Sequence, residues 1–191
     1  MSNDMTLRGV EPSGEEELVR RARLGDEQAF SALVRGHQND VFTLANRLLG
    51  NRDLAADVAQ ESFIRAWKAM PNFRGDAKFS TWMHRITVNT SWTWRERANR
   101  KATYTLDDEF DIADEHQLTP ELAGERAELR SLIGAHMAAL PTSLRAVIVL
   151  KDVYGWSHQE VADELGITVS AAKVRLHRAR ARLRRVLGEK S

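Results

Sequence analysis

The stretch ITVSAAKVRLHRARARLRR, residues 167 to 185, holds Lys173, Arg175, Arg178, Arg180, Arg182, Arg184 and Arg185 without a single acid. A merely solvated helix mixes Glu with Lys four residues apart, so an acid-free run reads as a surface made to lie against phosphate. At about 100° per residue, Val169, Ala172, Leu176, Ala179, Leu183 and Val186 form one apolar stripe, and Lys173, Val174, His177, Arg178, Ala181, Arg184 and Arg185 lie opposite. Arg and Lys reach guanine O6 and N7 or phosphate oxygens, and Val174 can touch a thymine methyl. Just upstream, Ser157 followed three residues later by Glu160 predicts a capping box opening the helix HQEVADEL. Gly166 ends that helix and Thr168 is the N-cap of the next. This is helix-turn-helix spacing, which lays its second helix in the major groove of DNA.

Two further groups invite chemistry. On a predicted helix following the turn PNFRGD, Thr81, Arg85, Asn89 and Trp92 gather on one flank, while Phe79, Trp82, Met83, Ile86 and Thr93 share the core side. Rings and guanidinium planes stack on unstacked bases and Asn bonds their edges; Trp residues serve equally well as core, and both readings stand. On the preceding helix, Ala55, Ala59, Ser62, Phe63, Ala66 and Met70 form an inward stripe, leaving Asp57, Gln60, Glu61, Ile64 and Lys68 outside. An apolar Ile64 among polar neighbours marks either a docking face or an ordinary single surface apolar.

Along the chain apolar residues recur at helical spacing and nothing alternates as a strand. Helices are predicted from about Glu15 to Leu24, Glu27 to Leu49, Leu54 to Met70 and Lys78 to Asn99, then near Pro120 to Ala139, Thr142 to Val153, His158 to Leu165 and Val169 to Leu187. The expected fold is all-α: two small helical domains, residues 15–100 and 126–191, joined by an acidic linker at 101–125.

Charge follows the same division. The formal net charge of the 191 residues is only +1, yet seven bases face two acids between Arg74 and Lys101, residues 102–125 carry eight acids and no base, and from Arg126 onward twelve bases face six acids. The acidic stretch ATYTLDDEFDIADEHQLTPELAGE has no sustained apolar period and lacks the Gly and terminal Glu of an EF-hand loop. It reads as a solubilising tether or as a nucleic-acid mimic competing for the basic surfaces. With no cysteine there is no disulfide, thiolate metal site or Cys nucleophile. The N-terminus has neither a basic start nor an apolar run, and no membrane insertion is expected; the reading is a cytoplasmic protein.

The blocks DLAADVAQESFIRAWKAMPNFRGDAKFSTWMHRITVN and LPTSLRAVIVLKDVYGWSHQEVADELGITVSAAKVRLHRARARLR together resemble a group IV, or extracytoplasmic-function (ECF), sigma factor of the sigma-70 family. The resemblance spans about Glu16 to Leu187 and implies sigma regions two and four without regions one or three. It implies a transcription initiation factor that binds core RNA polymerase through the β′ clamp coiled coil and the β flap, directs it to promoter DNA and answers to an anti-sigma factor. Laid on this sequence, Asp57, Gln60, Glu61, Ile64 and Arg65 would meet the clamp. Phe73, Arg74, Thr81, Trp82, Arg85, Asn89 and Trp92 would handle the −10 element as it melts. Lys173, Val174, His177 and Arg178 would face the bases of the −35 element, and Lys151, Ser170, Arg175 and Arg182 its phosphates. Ser170 and Ala171 stand where many members have Gly-Thr or Gly-Ser, and any zinc would belong to the anti-sigma partner.

A free-standing helix-turn-helix regulator would share the DNA-reading helix but has no use for a clamp face. An enzyme acting on nucleic acid needs converging carboxylates or metal ligands, and His37, His84, His116, His136, His158 and His177 are scattered without ligand spacing. No catalytic activity, cofactor or metal is expected.

Overall fold

A computed structural model describes residues 14–103 and 125–188; the acidic stretch that the sequence reads as a linker lies mostly outside these. The chain runs α1 (Gly14–Arg23), α2 (Glu27–Leu49), α3 (Arg52–Ala69), a 3₁₀ turn (Met70–Asn72), α4 (Phe79–Thr103), α5 (Glu125–Ala138), α6 (Thr142–Ile148), a π-helical turn (Val149–Val153), α7 (His158–Leu165) and α8 (Val169–Gly188). No strand occurs among the described residues, as the helical periodicity requires.

Local chemistry fixes the boundaries. Asp26 caps α2, its Oδ1 accepting from the backbone N–H of Gln28 at 2.9 Å and of Ala29 at 3.0 Å. At the other end Gly50 takes a left-handed φ of 70°, and Asn51 at once caps α3 by accepting from Leu54 N–H at 2.8 Å. A two-residue corner therefore folds α3 back on α2. Around these helices Leu33, Val41, Met70 and Met83 are fully buried, with Phe30 ringed by Trp67.

The second half is built around α6. Residues 145–150 are buried without a break, so this helix has no solvent face; a helix apolar all round must be wrapped on every side. The sequence predicts one helix to Val153, but its last five residues open into a π turn in which Tyr154 N–H bonds to Val149 C=O at 3.1 Å. The wider turn and Gly155, at φ 72°, bring Trp156 back into the core.

The halves share that core. Leu44 and Leu48 of α2 and Val88 of α4 pack in one cluster with Val147, Leu150, Trp156, Val161 and Leu176. Separate stripes do not reveal this: the sequence puts neither Val88 nor Ser91 on the inward side of α4, yet both are fully buried because the helix is covered from two directions.

Arg145 holds the junction. Its side chain, 6% exposed, donates to Leu48 C=O at 3.1 Å, Leu49 C=O at 2.8 Å, Ala138 C=O at 2.6 Å and Thr142 Oγ1 at 3.3 Å. Helix C-termini leave carbonyls without intrahelical donors and concentrate partial negative charge, and this one guanidinium serves two of them. A Cβ on Gly50 would lie 2.7 Å from its Nη1, so glycine is required there for space as well as for φ.

Two substitutions test the clasp. Replacing Arg145 by Ala should cost at least about 2 kcal/mol, because the carbonyls it serves lose charge-assisted bonds. Replacing Gly50 by Ala should cost about 1–2 kcal/mol for the left-handed backbone alone, and more while Arg145 is present. Urea unfolding of both single variants and the double variant should therefore give a sum larger than the double-variant loss; strict additivity would separate the two residues.

Candidate nucleic-acid and polymerase interfaces

The helix-turn-helix is assembled as its sequence signals require. Glu160 N–H donates to Ser157 Oγ at 3.1 Å, and Ser157 N–H donates to Glu160 Oε2 at 2.8 Å, closing the capping box of α7. Gly166 is left-handed at φ 61°, Ile167 N–H bonds back to Ala162 C=O at 3.0 Å, and Thr168 Oγ1 accepts from Ala171 N–H at 3.1 Å to start α8. Ala172, Leu176 and Ala179 are buried and Val169 and Leu183 half-buried, so the apolar stripe is the packed one.

Opposite it, Ser170, Lys173, Val174, His177, Arg178 and Arg182 are exposed, Val174 at 46%. Arg175 is half-buried at the edge of the helix, and Lys151 is half-buried on the π turn. Arg180, part of the basic run, is spoken for: its Nε donates to Asp152 Oδ2 at 2.8 Å and its Nη2 to Asp152 Oδ1. This bidentate pair ties α8 to the π turn, and the spacing of 28 residues hides it from any local pattern.

The second group divides. Arg74 is exposed on the turn, 3.5 Å from Asp76. Phe73, grouped above with the base contacts, is only 7% exposed. Its ring packs 4.7 Å from that of Trp82 and 6.3 Å from that of Phe79, so it supports the turn from beneath and exposes little of its surface. Beside it lies a cleft of about 690 Å³ between α1 and the turn, lined by Glu15, Arg20, Arg23, Phe73, Lys78 and Ser80 among others. Trp82 and Thr81 are half-buried.

Further along α4, Arg85 and Asn89 face the other half of the chain. Asn89 Nδ2 donates to Glu164 Oε1 at 2.6 Å, and Arg85 Nη2 lies 3.7 Å from Glu160 Oε1. Burial raises the pKa of the Glu164 carboxyl, while Arg85 and the Asn89 bond pull it down. Trp92 is half-buried, packs against the shared core and has the Arg95 guanidinium 5.7 Å from its ring centre. His84, two turns before Trp92, meets the Tyr154 ring edge-on at 4.8 Å, and burial lowers its pKa. The sequence singles out none of Glu164, Tyr154 and Arg145, and it reads Glu160 only as a cap. Each of the four acts across the junction, where a single-helix pattern carries no signal.

On α3, Asp57 and Gln60 are exposed and Ile64 is 42% exposed, while Glu61 Oε1 accepts from Arg65 Nε at 2.8 Å. These five residues form one continuous outer face, away from both cores. Among the described residues no cluster of His, Cys, Asp or Glu could hold a metal ion, and no helix is long and apolar enough to cross a membrane.

Comparison with known proteins places these surfaces in a family. Sigma-70 region 2 matches residues 33–101 and sigma-70 region 4 matches residues 130–183. The chain is 33% identical over 180 residues to the RNA polymerase sigma-H factor of Pseudomonas aeruginosa, across 91% of this chain and 93% of that protein. It is also 33% identical over 170 residues to the ECF RNA polymerase sigma-E factor of Escherichia coli, across 85% and 88%. Among solved structures, CnrH in complex with the cytosolic domain of CnrY superposes with a TM-score of 0.58 at 28% identity, covering 92% of this chain and 97% of that one. The sigma factor RpoE of Bartonella quintana, solved with the anti-sigma factor NepR, shares the fold at a TM-score of 0.62 and 20% identity, covering 83% and 96%. An exposed outer face on α3 and a ring-supported turn leading into α4 thus lie within the region 2 match, an acid-free exposed face on α8 lies within the region 4 match, the two regions follow in their family order, and the chain belongs to the ECF sigma factors of the sigma-70 family.

Proposed function

We propose that this chain directs core RNA polymerase to promoters with the division of labour among its surfaces that the sequence suggests. The observation that carries the reading is α8: Lys173, Val174, His177 and Arg178 form an exposed face without acids while the opposite stripe is packed. On this reading those four side chains read −35 bases, and Ser170, Arg175, Arg182 and Lys151 hold phosphates on either side. Arg74, Thr81, Trp82, Arg85, Asn89 and Trp92 handle the −10 strand, with Phe73 as their support. Asp57, Gln60, Glu61, Ile64 and Arg65 dock on the polymerase clamp.

The domain limits 15–100 and 126–191, with 101–125 between them, belong to the same proposal, as do an anti-sigma partner, a cytoplasmic location and the lack of any catalytic activity. Run-off transcription with core polymerase across a genomic promoter library tests the whole: the chain should yield discrete starts sharing a −35 and a −10 motif. A DNA-binding regulator would yield none.

Each surface has its own test. Ile64→Asp should weaken binding to core polymerase at least several-fold and leave the thermal unfolding midpoint nearly unchanged, since an exposed side chain contributes little to stability; a large loss of helicity by circular dichroism would make Ile64 a core residue. On α8, Arg178→Ala should cost roughly 1–3 kcal/mol on the cognate −35 element and relax the preference at one base position. Arg182→Ala should weaken all sequences alike and reduce the salt slope by about one. Uniform losses for both variants in a binding titration would make Arg178 a phosphate contact.

A further inference from the structure

The turn before α4 faces α1 across the cleft of about 690 Å³, a volume in the range of ligand pockets. The residue pattern gives α1 no role, and the region 2 match begins only at residue 33. We infer that α1 is the second wall of the −10 site, with Arg23 and Lys78 holding phosphates of the melted strand from opposite sides of the cleft. The inference rests on the proposed assignment of the turn and α4 to that strand.

The bases of α1 differ in what they do. Three of them, Arg20, Arg21 and Arg23, fall in its last turn, where a helix C-terminus favours cations. Arg20 donates twice to Glu17, at 2.7 Å and 2.6 Å, and Arg21 Nε donates at 2.8 Å to Asp26, the cap of α2. Arg23 lines the cleft, is exposed and forms no ion pair with another described residue. Lys78, exposed on the opposite wall, is equally unpaired among the described residues. Acids line the cleft too, but Glu15 lies 3.2 Å from His37 and Asp76 3.5 Å from Arg74, and Glu16 is engaged as well. The uncompensated charge there is that of Arg23 and Lys78.

The residues assigned to the −10 strand lead to this cleft. From Trp92 back to Thr81 they span about 16 Å of helix axis, and α4 begins at the cleft with Phe79 and Ser80. Trp82 N–H closes the first turn on Lys78 C=O at 3.1 Å. The N–H groups before it lack intrahelical acceptors, which favours an anion at this end. Phe73 and Phe79 are nearly buried and form the floor. The exposed cations stand at the rim, where a backbone passes while its bases turn inward.

The test uses holoenzyme assembled from core polymerase and the full-length chain, on a promoter recovered by run-off transcription. A single methylphosphonate, which removes one phosphate charge, is placed in turn at each −10 phosphate of either strand, and permanganate reactivity of thymines measures opening. Arg23→Ala and Lys78→Ala are compared with Arg35→Ala, which removes an exposed base of α2 outside the cleft lining. Circular dichroism melting reports that each variant is folded, and a competition titration reports its affinity for core polymerase. Each cleft variant should lower opening about fivefold on the unmodified promoter with core affinity unchanged, and Arg35→Ala should match the wild type. Neutralising one particular phosphate should cost the wild type the same factor and cost Arg23→Ala nothing more, and a different phosphate should pair in this way with Lys78. Losses that add at every phosphate would mark a structural role and overturn the inference, as would undiminished opening by Arg23→Glu. The variants Arg85→Ala and Asn89→Ala separate the two levels. If they slow opening and Arg23→Glu does not, only the α1 wall fails; if they leave opening unchanged, the −10 assignment of α4 fails and the second wall with it.

Discussion

A buried guanidinium at the end of α2 decides how the two halves of this chain meet. The last carbonyls of a helix need donors, and water cannot supply them where another helix covers the end. Arg145 reaches across from α6 to bond Leu48 and Leu49 while also bonding Ala138 at the end of α5. Its positive charge sits where two helix dipoles end, which favours a cation there. Gly50 is then constrained twice, by its left-handed φ and by the 2.7 Å at which a Cβ would meet Arg145.

The rest of the second half follows from this anchorage. With Arg145 fixed against α2, the residues that follow it, Ala146 to Leu150, are surrounded by α2, α8 and the loop to Trp156 and are all buried. Such a helix has no solvent side on which to end gradually, and it ends in a π turn that returns Trp156 to the core. The same turn carries Asp152, which holds Arg180 at the surface of α8. One basic residue of α8 is thus paired within the chain, while Lys173, His177 and Arg178 are exposed.

Most of the secondary structure was legible in the sequence because its signals are local. The capping box at Ser157, the left-handed Gly166 and the Thr168 cap each act within a few residues, and the structure forms all three. Most of the α3 and α8 stripes was legible because these helices pack mainly on one side, but Val58, fully buried on α3 beside Ala45 and Ala55, was missed. The stripe of α4 was incomplete for the opposite reason: Val88 is buried by the second half and the first together, and no single period describes a helix covered twice. The burial of Phe73 was not legible because turn residues carry no period, so only the packing of Trp82 and Phe79 reveals that its ring points inward. The bonds from Arg145 to Leu48 and from Asn89 to Glu164 span 97 and 75 residues, a separation at which composition and spacing are silent.

The charge alternation along the chain acquires a sharper meaning from these contacts. An acidic segment competing for basic surfaces was one reading of the stretch 102–125, most of which lies outside the described residues. The carboxylates seen engaging α4 belong to α7, inside the folded helix-turn-helix. They are ordered by the α7 cap and by the core behind it, where Val88 packs with Val161 and Ala162. Salt screens contacts between exposed charges strongly and apolar burial little, so the seam between the halves owes more to that core than to the approach of Arg85 to Glu160, whose side chains are both exposed.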